Sequence, residues 1–169
     1  KLPAGHMRGM ELHWDADRIV FAYAEQPRYY EETLVESDQG FNDKVHGASG
    51  PSHIYEIGTN GNRLRKITDH KFNSDIEPAY LPDGDIIFCS DRSNYGSQCS
   101  GNFKQNKKIV NFYRASLDGT GLRPLHNNKD FDRYPHVMEN GLVVYTRWEY
   151  QERQRYQTHN FWTTLPYVT

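Results

Sequence analysis

Two cysteines, eight histidines and several closely spaced acids are the residues of this chain whose types can do chemistry. Cys89 ends the apolar run "DIIFCS", and Cys99 follows in a polar connection. Three fates are open to the pair. In an oxidising compartment they could close a small loop, worth about 2–3 kcal/mol through loop entropy. Both could be structural thiols. Or Cys99, the more accessible of the two, could be a thiolate ligand to a metal. Zinc takes four N, S or O ligands. No partner is local, so a histidine such as His46, His53 or His159 would have to come from another loop. A lone histidine more often satisfies hydrogen bonds than it binds metal; His159, in "YQTHNFW", borders a loop and a strand and is the better placed. Asp83, Asp85 and Asp118 have spacings that suit turns rather than a calcium loop. "KQNKK" (104–108) reads as a solvated loop. The sequence has no C-x-x-C-H, G-x-G-x-x-G, P-loop, H-E-x-x-H or G-x-S-x-G pattern. No complete recognisable catalytic set is therefore written here, and no cofactor, covalent haem included, is expected within this stretch.

The elements that position these residues are legible in the composition and in a repeat. The chain has 169 residues and a formal net charge of −2, with a sequence pI near 6.5. That balance argues against nucleic acid as a partner, because phosphate binding favours basic surfaces. Mean hydropathy is low, −0.89, yet aromatics make up 14% with 12 tyrosines. Disordered chains are poor in aromatics, so the expectation is a short-stranded β protein with long polar loops. No apolar stretch is long enough to span a membrane. The opening residues do not read as a signal peptide, and a piece of a longer protein is expected.

Residues 53–67, "HIYEIGTNGNRLRKI", align with 111–125, "NFYRASLDGTGLRPL", so that Tyr55 falls on Tyr113 and Gly61 on Gly119, an offset of 58. Asp75, Pro78 and Gly84 fall on Asp132, Pro135 and Gly141, an offset of 57. Two weaker copies flank these: Phe21 falls on Phe88, and Trp162 on Tyr113. Each unit reads as four short strands, the first around the proline, with "PDG", "ENG" and "LDGTG" supplying tight turns. Repeated four-stranded units of this kind make β-propeller blades, which bury one another's faces. The reading is all-β, about three blades of an incomplete propeller, with blades at roughly 10–68, 69–127 and 128–169. A β-sandwich with coincidental hairpins is the alternative. "WEYQERQRYQ" (148–157) admits a short loop helix but has no apolar stripe.

The segment from about 53 to 149 resembles TolB-type propeller repeats, built on a D-x-x-P-x-x-x-P-D-G core. Asp75, Pro78, Pro82, Asp83, Gly84, Asp91, Arg92, Asp118, Gly119 and Leu122 carry that match. "ELHWDADRIVFAYA", "YLPDGDIIFCSDR" and "VVYTRWEYQERQ…HNFWT", in that order, resemble the propeller domain of the hydrazine synthase alpha-subunit family. The resemblance implies a secreted or periplasmic bacterial parent of several domains, with c-type haem and zinc carried by the parent. It implies neighbouring domains or subunits as partners, and does not by itself imply hydrazine synthesis. A TolB-like interaction module without a redox role, or the gating propeller of a peptidase or glycosidase, are the rival readings.

In such a blade the connections between strands one and two and between three and four leave from one end. The connections between strands two and three leave from the other. Here the first set is tight and the second is enlarged in every unit. The long connections also hold most of the residues suited to binding: Tyr29, Tyr30, His46, Arg92, Tyr95, Cys99, Trp148, Tyr150 and Arg153. Tyr, Trp and Arg dominate binding hot spots. That end is therefore expected to meet the partner domain, the bland alternative being that these aromatics only pack the loops together.

Overall fold

A computed structural model of the protein describes residues 1–25, 51–96, 108–149 and 158–167. Eleven strands form three antiparallel sheets, and no helix occurs among the described residues. The first sheet orders β1 (Gly5–Leu12), β2 (Arg18–Glu25), β3 (His53–Gly58) and β4 (Arg65–Lys66). The second orders β5 (Asp75–Tyr80), β6 (Asp85–Ser90), β7 (Asn111–Ser116) and β8 (Arg123–Pro124). The third holds β9 (Phe131–Val137), β10 (Val143–Glu149) and β11 (Thr158–Thr164), with β10 central. Three successive antiparallel sheets of three or four strands agree with the expected all-β, incomplete propeller; the first sheet starts at Gly5, ahead of the expected start near residue 10, and the third has three strands among the described residues. Of the stretch read as a possible helix, Trp148 and Glu149 continue strand β10, and residues 150–157 lie outside the described set.

The tight turns form where the sequence supplies residues tolerant of positive φ. Gly84 and Gly141 sit at +92° and +81°, each donating its N–H back to Leu81 or Met138. The first sheet uses Ala16 at +56° in the same role, donating to His13. Alanine carries a steric cost there that glycine does not.

Registers superpose the three sheets residue on residue. Phe21 pairs with Tyr55, Phe88 with Tyr113 and Tyr145 with Trp162. The first two pairs stack at 5.9 and 6.4 Å between ring centres. One position further back, Ile54, Phe112 and Phe161 occupy equivalent places, opposite Ala22, Cys89 and Thr146. Ile54 and Phe112 are fully buried, and Phe112 meets Tyr145 of the third sheet edge-on at 4.9 Å. Phe161 is 83% exposed. The core is therefore a pair of interfaces between successive sheets, centred on Val20, Ile54, Tyr80, Ile87, Phe88 and Phe112.

The first strand of each sheet is interrupted at one place. The ladder slips between Arg8 and Met10, between Ile76 and Ala79, and opposite Tyr145. At each slip a residue is held in the left-handed region: Gly9 at +60°, Glu77 at +54° and Tyr134 at +56°. Pro78 and Pro135 follow immediately, where the broken ladder asks for no donor.

Two outcomes follow for stability. Phe112→Ala should cost about 3–5 kcal/mol, and Phe161→Ala less than about 1 kcal/mol, measured by urea unfolding of the whole protein; equal costs would contradict the stacking of sheets. Ala16→Gly should stabilise by about 0.5–1 kcal/mol by the same measurement.

Candidate functional site

The connections between second and third strands leave the sheets at one end, after Glu25, Ser90 and Glu149. Of the residues expected to form a binding face there, three are described. Tyr95 is 62% exposed, and its carbonyl accepts the N–H of Ile109. Trp148 is half-buried and lies 5.6 Å from the ring of Phe131. Arg92 points elsewhere: Nε and Nη2 donate to both oxygens of the fully buried Asp75, at 3.0 and 2.6 Å. Its guanidinium is committed to holding the first strand of its own sheet. Tyr29, Tyr30, His46, Cys99, Tyr150 and Arg153 lie outside the described residues.

The third sheet repeats the Asp75–Arg92 pair in altered form. Asp132, equivalent to Asp75 and equally buried, accepts Nε and Nη2 of Arg147 at 2.7 and 3.1 Å. Arg147 stands directly opposite it in the ladder, whereas Arg92 reaches back from two residues beyond Ser90. Arg147 also lies over Tyr145 and Trp162, 5.4 and 5.0 Å from their ring centres. Beside this pair His126 stacks on Tyr145 and meets Phe112 edge-on, with Nδ1 3.4 Å from Asp132. Burial lowers the pKa of His126; Asp132 opposes the shift and Arg147 adds to it.

The first strands bring together a second group that sequence reasoning missed. The Glu77 carboxylate accepts Nε of Arg133 at 2.9 Å, the backbone N–H of Tyr134 at 2.9 Å and the thiol of Cys89 at 3.3 Å. Nη2 of Arg133 also donates to it. Glu11 makes the corresponding reach one sheet earlier, accepting the N–H of Tyr80 at 3.1 Å. Its other oxygen lies 3.7 Å from Nδ1 of His136 in the third sheet. Carboxylates of one first strand thus satisfy the open-edge amides of the next. Burial raises the pKa of Glu11 against these partners. Burial, and then Glu77, push the Cys89 thiol well above its ordinary value.

This arrangement decides the chemistry of the described cysteine. Cys89 is a free, fully buried thiol. Its proton is engaged by Glu77, and the Asp132 carbonyl lies 3.4 Å away. The bridge to Cys99 that the sequence left open is thus not formed by this residue, because its sulfur faces the sheet interior. A protonated, enclosed thiol is inert as nucleophile or metal ligand, so Cys89 does not fit a zinc site. Asp83 and Asp85, expected to shape turns, additionally bind Arg114. Asp118 caps its own turn, accepting the N–H and hydroxyl of Thr120. His13, Asp15 and Asp17 gather in the β1–β2 turn. Arg18 already occupies that cluster, 2.5 Å from Nε2 of His13 and 2.9 Å from Asp17. No helix among the described residues is long and apolar enough to cross a membrane.

Solved structures share this architecture. Hydrazine synthase of Kuenenia stuttgartiensis matches with a TM-score of 0.63 at 14% identity, over 91% of this chain and 23% of that one. Puromycin hydrolase matches at 0.51 and 14% identity, over 83% of this chain and 18% of that one. A protein of unknown function from Dyadobacter fermentans matches at 0.51 and 15% identity, over 94% of this chain and 50% of that one. At these identities the likeness is one of fold. The chain spans about a fifth of the length of the first two. No protein-family model matches the sequence, so the TolB-type likeness has no support from that side, and no curated protein matches it.

Glu77→Gln should destabilise by about 2–3 kcal/mol, below the 3–5 of a fully buried pair because Arg133 is partly exposed, as read from chemical denaturation. His126 has a lowered pKa in the folded state. Its contribution is therefore complete above the unfolded value of about 6.5 and is lost as pH falls below it. Melting temperature should drop from about pH 6.5 downward, and His126→Gln should flatten that drop; an unchanged slope would show that this histidine does not titrate with folding.

Proposed function

We propose that the chain is the propeller part of a larger secreted or periplasmic bacterial protein. In this reading it serves as a scaffold whose long-connection end meets neighbouring domains or subunits and lines part of a site with them. The observation that carries it is Phe161. Its register position is buried by a following sheet in both other cases, yet it stands 83% exposed. A face built for sheet-on-sheet packing is a face built for more protein. Tyr95, also largely exposed, supplies an aromatic anchor at the end where the long connections leave.

The sequence resemblance to the hydrazine synthase alpha-subunit family, alongside the fold likeness to hydrazine synthase, favours a redox parent, with the c-type haem and zinc that the resemblance implies held outside this stretch. Likeness to puromycin hydrolase favours a second reading, a propeller that gates a separate hydrolytic domain. The whole protein separates them. Under the redox reading, the reduced protein treated with alkaline pyridine shows the absorption bands of covalently attached haem. A colourless protein labelled by a fluorophosphonate probe overturns that reading in favour of the second. Under either, Tyr95→Ala should weaken contact with the neighbouring domain, seen as faster limited proteolysis between domains. Asn62→Ala, on the short-turn side, should not. Equal proteolysis in both variants would refute the placement of the contact.

A further inference from the structure

A cleft of about 410 Å³ opens on the short-turn side between the first and second sheets, lined by Asp17, Arg18, Glu56, Arg63, Arg65 and Leu117 among others. This lies within the range of small-molecule sites, roughly 300–1,000 Å³. The repeat explains why it is open. Glu56 stands opposite Val20, as Arg114 stands opposite Ile87, so the two are equivalent. Between the second and third sheets Arg114 closes the corresponding space. It bonds Asp83 and Asp85, donates Nη1 to the Pro166 carbonyl at 3.0 Å, and lies 5.6 Å from the ring centre of Tyr167. Leu117 is the counterpart of Pro166, each four residues past the paired aromatics Tyr113 and Trp162.

Glu56 has no proton to give the Leu117 carbonyl. Its carboxylate turns inward instead, accepting Arg65 Nε at 2.8 Å and the Tyr80 hydroxyl at 3.2 Å, with Arg65 Nη2 at 2.6 Å. The Tyr80 bond joins the sheets deep inside, but among the described residues Glu56 makes no counterpart of the Arg114–Pro166 bond at the rim, and the cleft is what remains. Arg65 spends Nε and Nη2 on Glu56, and its Nη1 has no hydrogen-bond partner among the described residues. Arg18 is taken by Asp17 and His13. Arg63 is exposed, sits at φ +59°, and has no ion pair among the described residues. Three guanidiniums thus face two carboxylates, both already engaged. Asp118, near Arg65 at the rim, is occupied by Thr120.

We propose that this cleft binds a small ligand through an oxyanion, a carboxylate or phosphate, held between Arg63 and the free edge of Arg65. Guanidinium forks suit such groups. The bound anion supplies between the sheets the link that Arg114 supplies further along.

The test is calorimetric titration of the whole protein in low-salt, anion-poor buffer with inorganic phosphate and, separately, with succinate. Saturable binding of at least one is expected, and which one binds tells a phosphoryl from a carboxylate ligand. Arg63→Gly should weaken it at least tenfold. The fold should survive that change, because glycine takes the left-handed conformation freely, as Gly121 does at the equivalent place, at +65°. Arg123→Gln, at the counterpart of Arg65, should leave binding unchanged. Absence of saturable heat from both anions at millimolar concentration overturns the proposal. So does an Arg63→Gly protein that titrates like the parent, or an Arg123→Gln protein weakened as much as Arg63→Gly.

Discussion

Glu77 is held at positive φ immediately before a proline, a conformation that a branched or long side chain adopts only when its surroundings enforce it. What enforces it is the slip in the ladder of its strand. The slip frees the residue from pairing and turns its carboxylate towards the next sheet, where Arg133 and the amide of Tyr134 receive it. The same slip in the first sheet has Gly9, and there the need is spatial: a Cβ would sit 2.9 Å from the Cα of Glu77. The bulges are therefore points of close contact between successive first strands, Gly9 against Glu77 and Glu77 against Arg133 and Tyr134. Sheet spacing, and with it the burial of Ile54 and Phe112, depends on them.

Around that constraint the sheets differ in where they place charge. Asp75 and Asp132 both lie fully buried, and each is neutralised by an arginine of its own sheet. These pairs contribute little as isolated ion pairs but cannot lose one partner without exposing a buried charge. Between sheets the pattern is freer. Glu77 with Arg133 bridges the second and third, whereas Glu56 stays within the first apart from its bond to Tyr80. Replacing a donor by an acceptor at one register position converts a closed contact into a cleft. Repetition of backbone with variation of one side chain is how a propeller acquires different surfaces at otherwise equivalent junctions.

The sequence by itself determined the strands, the turns and their repetition. Glycines after Asp or Asn, prolines at a fixed distance before them, and aromatics at offsets of 57 and 58 are local signals, because turn chemistry and side-chain alternation act over a few residues. The stacking of sheets was legible too, since one amphipathic blade cannot bury both faces. The partners of the charged side chains were not. Arg92 reads as a binding residue in the sequence and is tied to Asp75 in the fold; the sequence leaves Cys89 open between a bridge and a structural thiol, and the fold makes it a buried thiol on Glu77. Arg133 and Glu77 are 56 residues apart, and no local pattern links them. Ion pairs form wherever packing brings long side chains within about 3 Å, and that proximity is set by the bulges and the sheet spacing. The open junction at Glu56 shows the same division: its register was written in the repeat, but only the tertiary structure decided that the carboxylate would turn inward and leave space beside Arg63.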